Sequence, residues 1–178
     1  NMSKEKIKKL TTILNNHDLD ALALVPGSNF KYITGGDFAL MERPTLFILS
    51  KINKPIAILP VLEVDSFSKL NIDVDVISWQ DSDGYQAAFD DAFQKLNSIS
   101  KIGVEGQRMR VFEMQAIQKT SNNLSIINAQ KIISDVRLIK DNIEIKNLKR
   151  ANEIAEIALK KTLEFVSVDK SEIEIKNF

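Results

Sequence analysis

A single histidine and no cysteine leave this 178-residue chain few ways to build a reactive centre. Thiolate nucleophiles and thiolate metal sites are excluded, so any metal site would have to be made of carboxylates alone. His17 stands in the polar cluster Asn15-Asn16-His17-Asp18 with no local nucleophile or partner base, and is expected to be a surface residue. The acids Asp81-Ser82-Asp83 and Asp90-Asp91 lack the alternating spacing, central glycine and closing glutamate of a calcium loop. They read as helix caps and solvated faces. Gly35-Gly36 and Gly103-x-x-Gly106 are too sparse to cradle phosphates, and neither a P-loop lysine nor a G-x-S-x-G elbow is present. Trp79 closes an apolar strand and is expected in the core. From residue types alone, this chain carries no active site.

Bulk properties narrow the classes further. Lysine and arginine total 24 against 24 acids, so the basic stripe expected of a nucleic-acid binder is missing. The longest apolar run, Ala21 to Val25, is far below the ~18 residues of a spanning helix, and no membrane segment is expected. Ser3 to Leu10 is charged and amphipathic, without the apolar region of a signal peptide. Together with the absence of cysteine this fits a cytoplasmic location. Asn1 ahead of Met2 reads as an addition outside the fold.

The elements that would position any site follow from periodicity. Ile7, Leu10, Ile13 and Leu14 share one helical face, and Asn15 to Asp18 stops that helix. Strands are expected at Ala21–Val25, Thr45–Ser50, Ile56–Leu59, Val74–Ile77, Ile102–Val104 and Ser125–Ile127. The second and third form a hairpin around Asn53-Lys54-Pro55. Ile72 to Trp79 alternates, with Ile72, Val74 and Val76 on one face and Ile77 and Trp79 on the other. Helices are expected over Val61–Leu70, Gly84–Leu96 and Val111–Ser121. Such interleaving predicts an α/β fold with a mixed, about six-stranded sheet flanked by helices.

Beyond the sheet the character changes. Asp141 to Val166 contains no glycine or proline, and Leu148, Ala151, Ala155, Ala158, Leu159 and Thr162 recur at helical spacing. Asp141 with Glu144 is a capping-box variant that opens this long C-terminal linker helix. Ser171 with Glu174 is a second start signal with barely one turn behind it, which suggests a chain cut short. The apolar stripe is expected to be covered, in the simplest case by a two-fold copy.

The segment Pro26-Gly27-Ser28-Asn29-Phe30-Lys31-Tyr32-Ile33-Thr34-Gly35 resembles the N-Y-L-T-G signature of the creatinase/prolidase N-terminal domain. It follows Leu19-Asp20-Ala21-Leu22, as in that family. Arg43-Pro44, Leu59-Pro60-x-x-Glu63, Trp79-x-Asp81 and Ile102-Gly103-Val104-Glu105 then arrive in family order. Val136-Arg137-Leu138-Ile139-Lys140, followed by Glu144 and Ala151, resembles the junction that leads into the family's catalytic domain. Gly36, where the family often has Phe, and Asn142, where a small residue is common, depart from the pattern.

The resemblance implies a creatinase/prolidase-like N-terminal domain over residues 1–135. Residues 136–178 would be the junction and the start of a truncated catalytic domain. The parent protein would be an Xaa-Pro dipeptidase or aminopeptidase acting on proline-containing peptides. Its two divalent ions (Mn, Co or Zn) would be bound by the catalytic domain that this chain lacks, and the chain alone is expected to be inactive. In such enzymes the N-terminal domain serves dimerisation and substrate gating, so a homodimer is expected. A loop after the signature commonly reaches a neighbouring active site, and here that is residues 37–43. Phe38 and Met41 would offer an apolar wall, with Glu42 beside them, and Arg43 could pair a carboxylate. Asn29, Tyr32 and Gly35 are expected to be structural. The alternative is a stand-alone peptide- or protein-binding module; a reading frame that continues past Phe178 with a metal-ligand set would discriminate. A receiver-like or nucleotide-binding domain lacks its acidic pocket or glycine loop.

Overall fold

The expected strands all form, each within two residues of its expected ends. A computed structural model describes residues 4–97 and 99–178. Asn1, Met2 and Ser3 and the expected place of the Ile7 side chain lie outside the described residues. The strands are β1 (Ala21–Leu24), β2 (Leu46–Ser50), β3 (Ile56–Pro60), β4 (Asp75–Trp79), β5 (Lys101–Val104) and β6 (Ser125–Asn128). They make one sheet in the order β4-β3-β2-β1-β5-β6. β2 pairs antiparallel with both β1 and β3, while β1–β5, β5–β6 and β3–β4 are parallel. So β2 alone opposes the rest. The β2–β3 hairpin closes through Ser50, whose Oγ accepts from the Asn53 amide at 2.9 Å.

Both faces of the sheet are covered, which is why β1 to β3 read as continuous apolar runs rather than as alternation. Ala21, Ala23, Leu46, Ile48, Ile56 and Ile58 face one core, closed by α4 (Gln86–Lys95) and α5 (Val111–Thr120). Leu22, Leu24, Phe47, Leu49, Ala57 and Leu59 face the other. That core is closed by α1 (Lys4–Asn16), α2 (Ser28–Thr34), α3 (Val61–Ser68) and α6 (Gln130–Val136). In β4 the expected alternation is partly cut short. Ile77 and Trp79 pack into the first core and Ile72 and Val74 against the second, but Val76 is exposed. β4 is an edge strand, so a helix covers less of its outer face. Helix α6 had no period-based signal of its own, being less than two turns long.

Two units divide the chain, residues 1–136 and 137–178. In the second, α7 (Asn142–Phe165) opens on the expected capping box, with the Asp141 carboxylate accepting from the Glu144 amide at 2.8 Å. α8 (Glu172–Asn177) is capped by Ser171 and Glu174 in the same way. Phe178 stacks on Phe165 with ring centroids 4.3 Å apart, which ties the short last helix to α7. Leu148 and Leu159 of the expected stripe are exposed, and Ile143, Ile154, Ile157 and Leu163 extend the apolar surface beyond it.

Candidate functional site

Strand direction gathers the scattered motif pieces. β1 and β2 are antiparallel neighbours, so everything between them must begin and end at one edge of the sheet. That edge is the carboxyl end of β1, β3, β4 and β5, where open α/β sheets place their functional loops. Residues 26–45, the start of α3 after Pro60, the turn after Trp79 and the turn beginning at Glu105 therefore meet there.

At its centre is a buried carboxylate. Glu105 Oε2 accepts from the Val25 amide at 3.0 Å and Oε1 from Asn29 Nδ2 at 2.8 Å. Arg108 donates from Nε and Nη2 to the Pro26 carbonyl at 3.3 and 3.0 Å. The turn that opens the signature is thus held on both sides by the β5–α5 connection. Burial pushes the Glu105 carboxyl above its ordinary value; the Asn29 and Val25 hydrogen bonds and the Arg108 charge oppose it. The Asn29 bond ties its turn to the residue that follows β5. The Ser28 side chain does not cap α2; Gly27 stands at the cap position and Ser28 is the first helical residue.

The rest of the signature packs and terminates the helix. Phe30 and Ile33 enter the second core, and Tyr32 lies half-buried with Lys6 Nζ 4.1 Å over its ring. Gly35 takes the left-handed conformation (φ 81°) that ends α2, its N–H donating to the Lys31 carbonyl at 2.8 Å. Such a conformation favours glycine. A Cβ on Gly36 would lie 2.6 Å from the Phe38 ring and 2.8 Å from Leu70. Phe38 and Leu70 fill the space that a larger residue would need.

The loop of residues 37–43 is fastened at both ends. Asp37 pairs with Lys31 at 2.6 Å, and the Phe38 ring packs edge-on to Phe30, with centroids 5.8 Å apart. At the other end Arg43 binds Asp81 through Nη2 at 2.6 Å and through Nε at 3.0 Å, and Glu42 through Nη1 at 3.0 Å. Trp79, 7% exposed, donates from Nε1 to the Pro44 carbonyl at 3.1 Å. Arg43-Pro44 and Trp79-x-Asp81 are therefore two halves of one contact. Between these anchors Met41 is 57% exposed and the Glu42 side chain 69% exposed. A shallow groove of about 350 Å³ runs beside the loop's start, lined by Gly36, Phe38, Glu63 and Leu70 among others.

The Arg43 hydrogen bond holds the Asp81 carboxyl below its ordinary value of 3.8, against a smaller opposing effect of burial. The pair's contribution is therefore complete above that value and fades only as pH falls through the depressed one. A carbon-detected titration should give Asp81 a midpoint below 3.8, returning toward it in Arg43→Gln. An unshifted midpoint in the parent chain would remove the pair from solution.

Glu105, Arg108, Arg110 and Glu113, which also bond at this edge, carried no chemical signal in the sequence. For Glu105 the hints were the motif piece Ile102-Gly103-Val104-Glu105 and its place as a lone acid directly after the strand Lys101–Val104. His17 is exposed directly after α1, and its neighbour Asp18 pairs with Lys101. Among the described residues no three His, Cys, Asp or Glu side chains come together as a metal ion would require. The donor set here does not fit the paired ions of a metallopeptidase, and no reaction step is assigned to these residues. No helix among the described residues is long and apolar enough to cross a membrane.

Comparison with known proteins agrees with this geometry. An Xaa-Pro dipeptidase of Pyrococcus horikoshii is 26% identical over 179 residues, covering 96% of this chain and 45% of that protein. The prolidase of Thermococcus sibiricus superposes with a TM-score of 0.82 at 25% identity, over 99% of this chain and 48% of the other. The N-terminal domain of a Lactobacillus brevis Xaa-Pro dipeptidase shares the fold, with a TM-score of 0.67 at 18% identity, over 73% of this chain and 98% of that domain. The chain spans about half the length of the curated relatives it matches. The family described as the Creatinase/Prolidase N-terminal domain matches residues 6–139, the same stretch that builds the sheet and its carboxyl edge. By that match and by its fold, the chain belongs to the creatinase/prolidase N-terminal domain family.

Proposed function

We propose that this chain is the non-catalytic N-terminal part of an Xaa-Pro dipeptidase or aminopeptidase, serving dimerisation and substrate gating. The carrying observation is the family match over residues 6–139 in a chain that spans 45% of the P. horikoshii dipeptidase. Residues 1–135 form the N-terminal domain in this reading, and 136–178 lead into the catalytic domain. The reaching segment is the loop of residues 37–43. Phe38 and Arg43 hold its ends, while Met41 and Glu42 present an apolar and an acidic side chain to whatever approaches. Hydrolysis would belong to a catalytic domain outside these residues, where divalent ions would supply Lewis-acid polarisation and an activated water.

The test is a set of measurements on the chain by itself. It should hydrolyse no Xaa-Pro dipeptide, show no micromolar two-site binding of Mn²⁺, Co²⁺ or Zn²⁺ by calorimetry, and sediment as a dimer. Two-site metal binding or turnover would overturn the non-catalytic reading, and a monomer at high concentration would remove dimerisation. Micromolar binding of proline-containing peptides by the isolated chain would favour a stand-alone module instead.

A further inference from the structure

Arg110 occupies a position it does not suit by ordinary rules. It stands immediately before α5, where serine, threonine, aspartate or asparagine would accept from the first turn. A guanidinium only donates, so it cannot cap. Its partner is unusual too. Glu113 is fully buried, and a carboxylate withdrawn from water needs strong compensation. Capping alone occupies one oxygen: Oε2 accepts from the Arg110 amide at 2.9 Å. The other, Oε1, accepts from Arg110 Nε at 3.2 Å and Nη2 at 2.5 Å. The face of the guanidinium lies on the Phe112 ring, 4.4 Å from its centroid. Phe112 in turn contacts Tyr85, which packs on Trp79 of the first core, so the platform rests on that core's edge.

A planar group fixed at Nε, at Nη2 and across its face has no freedom left in the direction of Nη1. That nitrogen donates to the Met41 carbonyl at 2.5 Å. Met41 lies between the Phe38 and Arg43 anchors with its own side chain exposed, whereas its neighbour Leu40 packs against the first core. We propose that Arg110, braced by buried Glu113, is the positioning residue that fixes the tip of loop 37–43 through the Met41 carbonyl. This rests on the reading of that loop as the reaching segment. It adds that the tip is presented in a set conformation rather than left to move, and that the β5–α5 connection sets it.

Backbone ¹⁵N relaxation on the whole chain tests this without any substrate. Met41 and Glu42 amides are expected near the rigid order parameter of about 0.85 in the parent chain, falling below about 0.6 in Arg110→Met. Values in the sheet should stay unchanged, and any change in α5 should be confined to its first turn, where Glu113 loses the guanidinium. Arg110→Lys should restore part of the order, since an ammonium can still reach both acceptors. Unchanged order at Met41 and Glu42 in folded Arg110→Met, or a parent loop already below about 0.6, overturns the proposal. Should Arg110→Met not fold, guanidinium-labelled parent chain decides: slow-exchanging Nη1 protons with cross-peaks to Met41 support it, and a freely rotating group refutes it. A failed gating reading would leave these order parameters as they are, so the two failures are distinguishable.

Discussion

Replacing Glu105 by alanine is expected to lower the melting temperature of the N-terminal unit by roughly 10 °C, the equivalent of about 3 kcal/mol. Two buried donors, the Val25 amide and Asn29 Nδ2, would lose their acceptors together. An orphaned buried donor costs about 1–3 kcal/mol, and the vacated space adds to that. Arg108 would also keep its bond to Pro26 without a neighbouring carboxylate. Glu105→Gln should be milder, because its single oxygen can satisfy one donor while its amide opposes the other. pH adds a second signature. Burial raises the folded carboxyl above its ordinary value of 4.5, so between that value and the raised one the folded chain holds a proton that the unfolded chain has released. Glu105 thus adds stability as pH falls through that window, and its ionisation costs stability as pH rises through it. Glu105→Gln should remove this component from the stability profile. A melting temperature for Glu105→Ala within about 2 °C of the parent would show that the carboxylate does not hold the turn.

Phe30→Ala is expected to cost about 3–5 kcal/mol, measured by denaturant unfolding with an unchanged slope. Phe30 is fully buried, and its ring meets those of Phe38, Phe47 and Phe67 with centroids 5.8, 6.1 and 6.4 Å away. Edge-on pairs of this kind add to plain area burial, so deleting the central ring removes several contacts at once. It also frees Phe38, the first anchor of the loop, leaving it only Phe67 among these rings. Phe30→Leu should retain most of the stability by filling much of the same volume. A loss below about 1 kcal/mol in Phe30→Ala would mean that the cluster collapses around the gap and that the ring is not its keystone.

The fold was legible from local pattern because its strongest elements announce themselves locally. β1, β2 and β3 are short apolar runs bounded by Asp20, Pro26, Asn53 and Pro55, and the capping boxes at Asp141 and Ser171 each span four residues. The ordered motif pieces also pointed to the right family, although nothing in their chemistry did. Local pattern worked less well at α6, too short to show a period, and at Val76, where an edge strand left one apolar residue uncovered.

What the sequence determined by itself was therefore the six strands, the longer helices, their approximate ends and, through the ordered motif pieces, the family. What only the tertiary structure decided was which side chains hold the carboxyl edge together. Arg43 meets Asp81 across 38 residues of chain, and Asn29 meets Glu105 across 76. Arg110 reaches Met41 across 69. The sequence allowed Arg43 a carboxylate partner but could not name Asp81, because that acid lies on another strand's turn. The reason is physical. Helix and strand periodicity are set by neighbours within a few residues, whereas these contacts depend on the strand order β4-β3-β2-β1-β5-β6. That order follows from burying both faces of the central strands β1, β2 and β3 at once, a condition that no local stretch of chain contains.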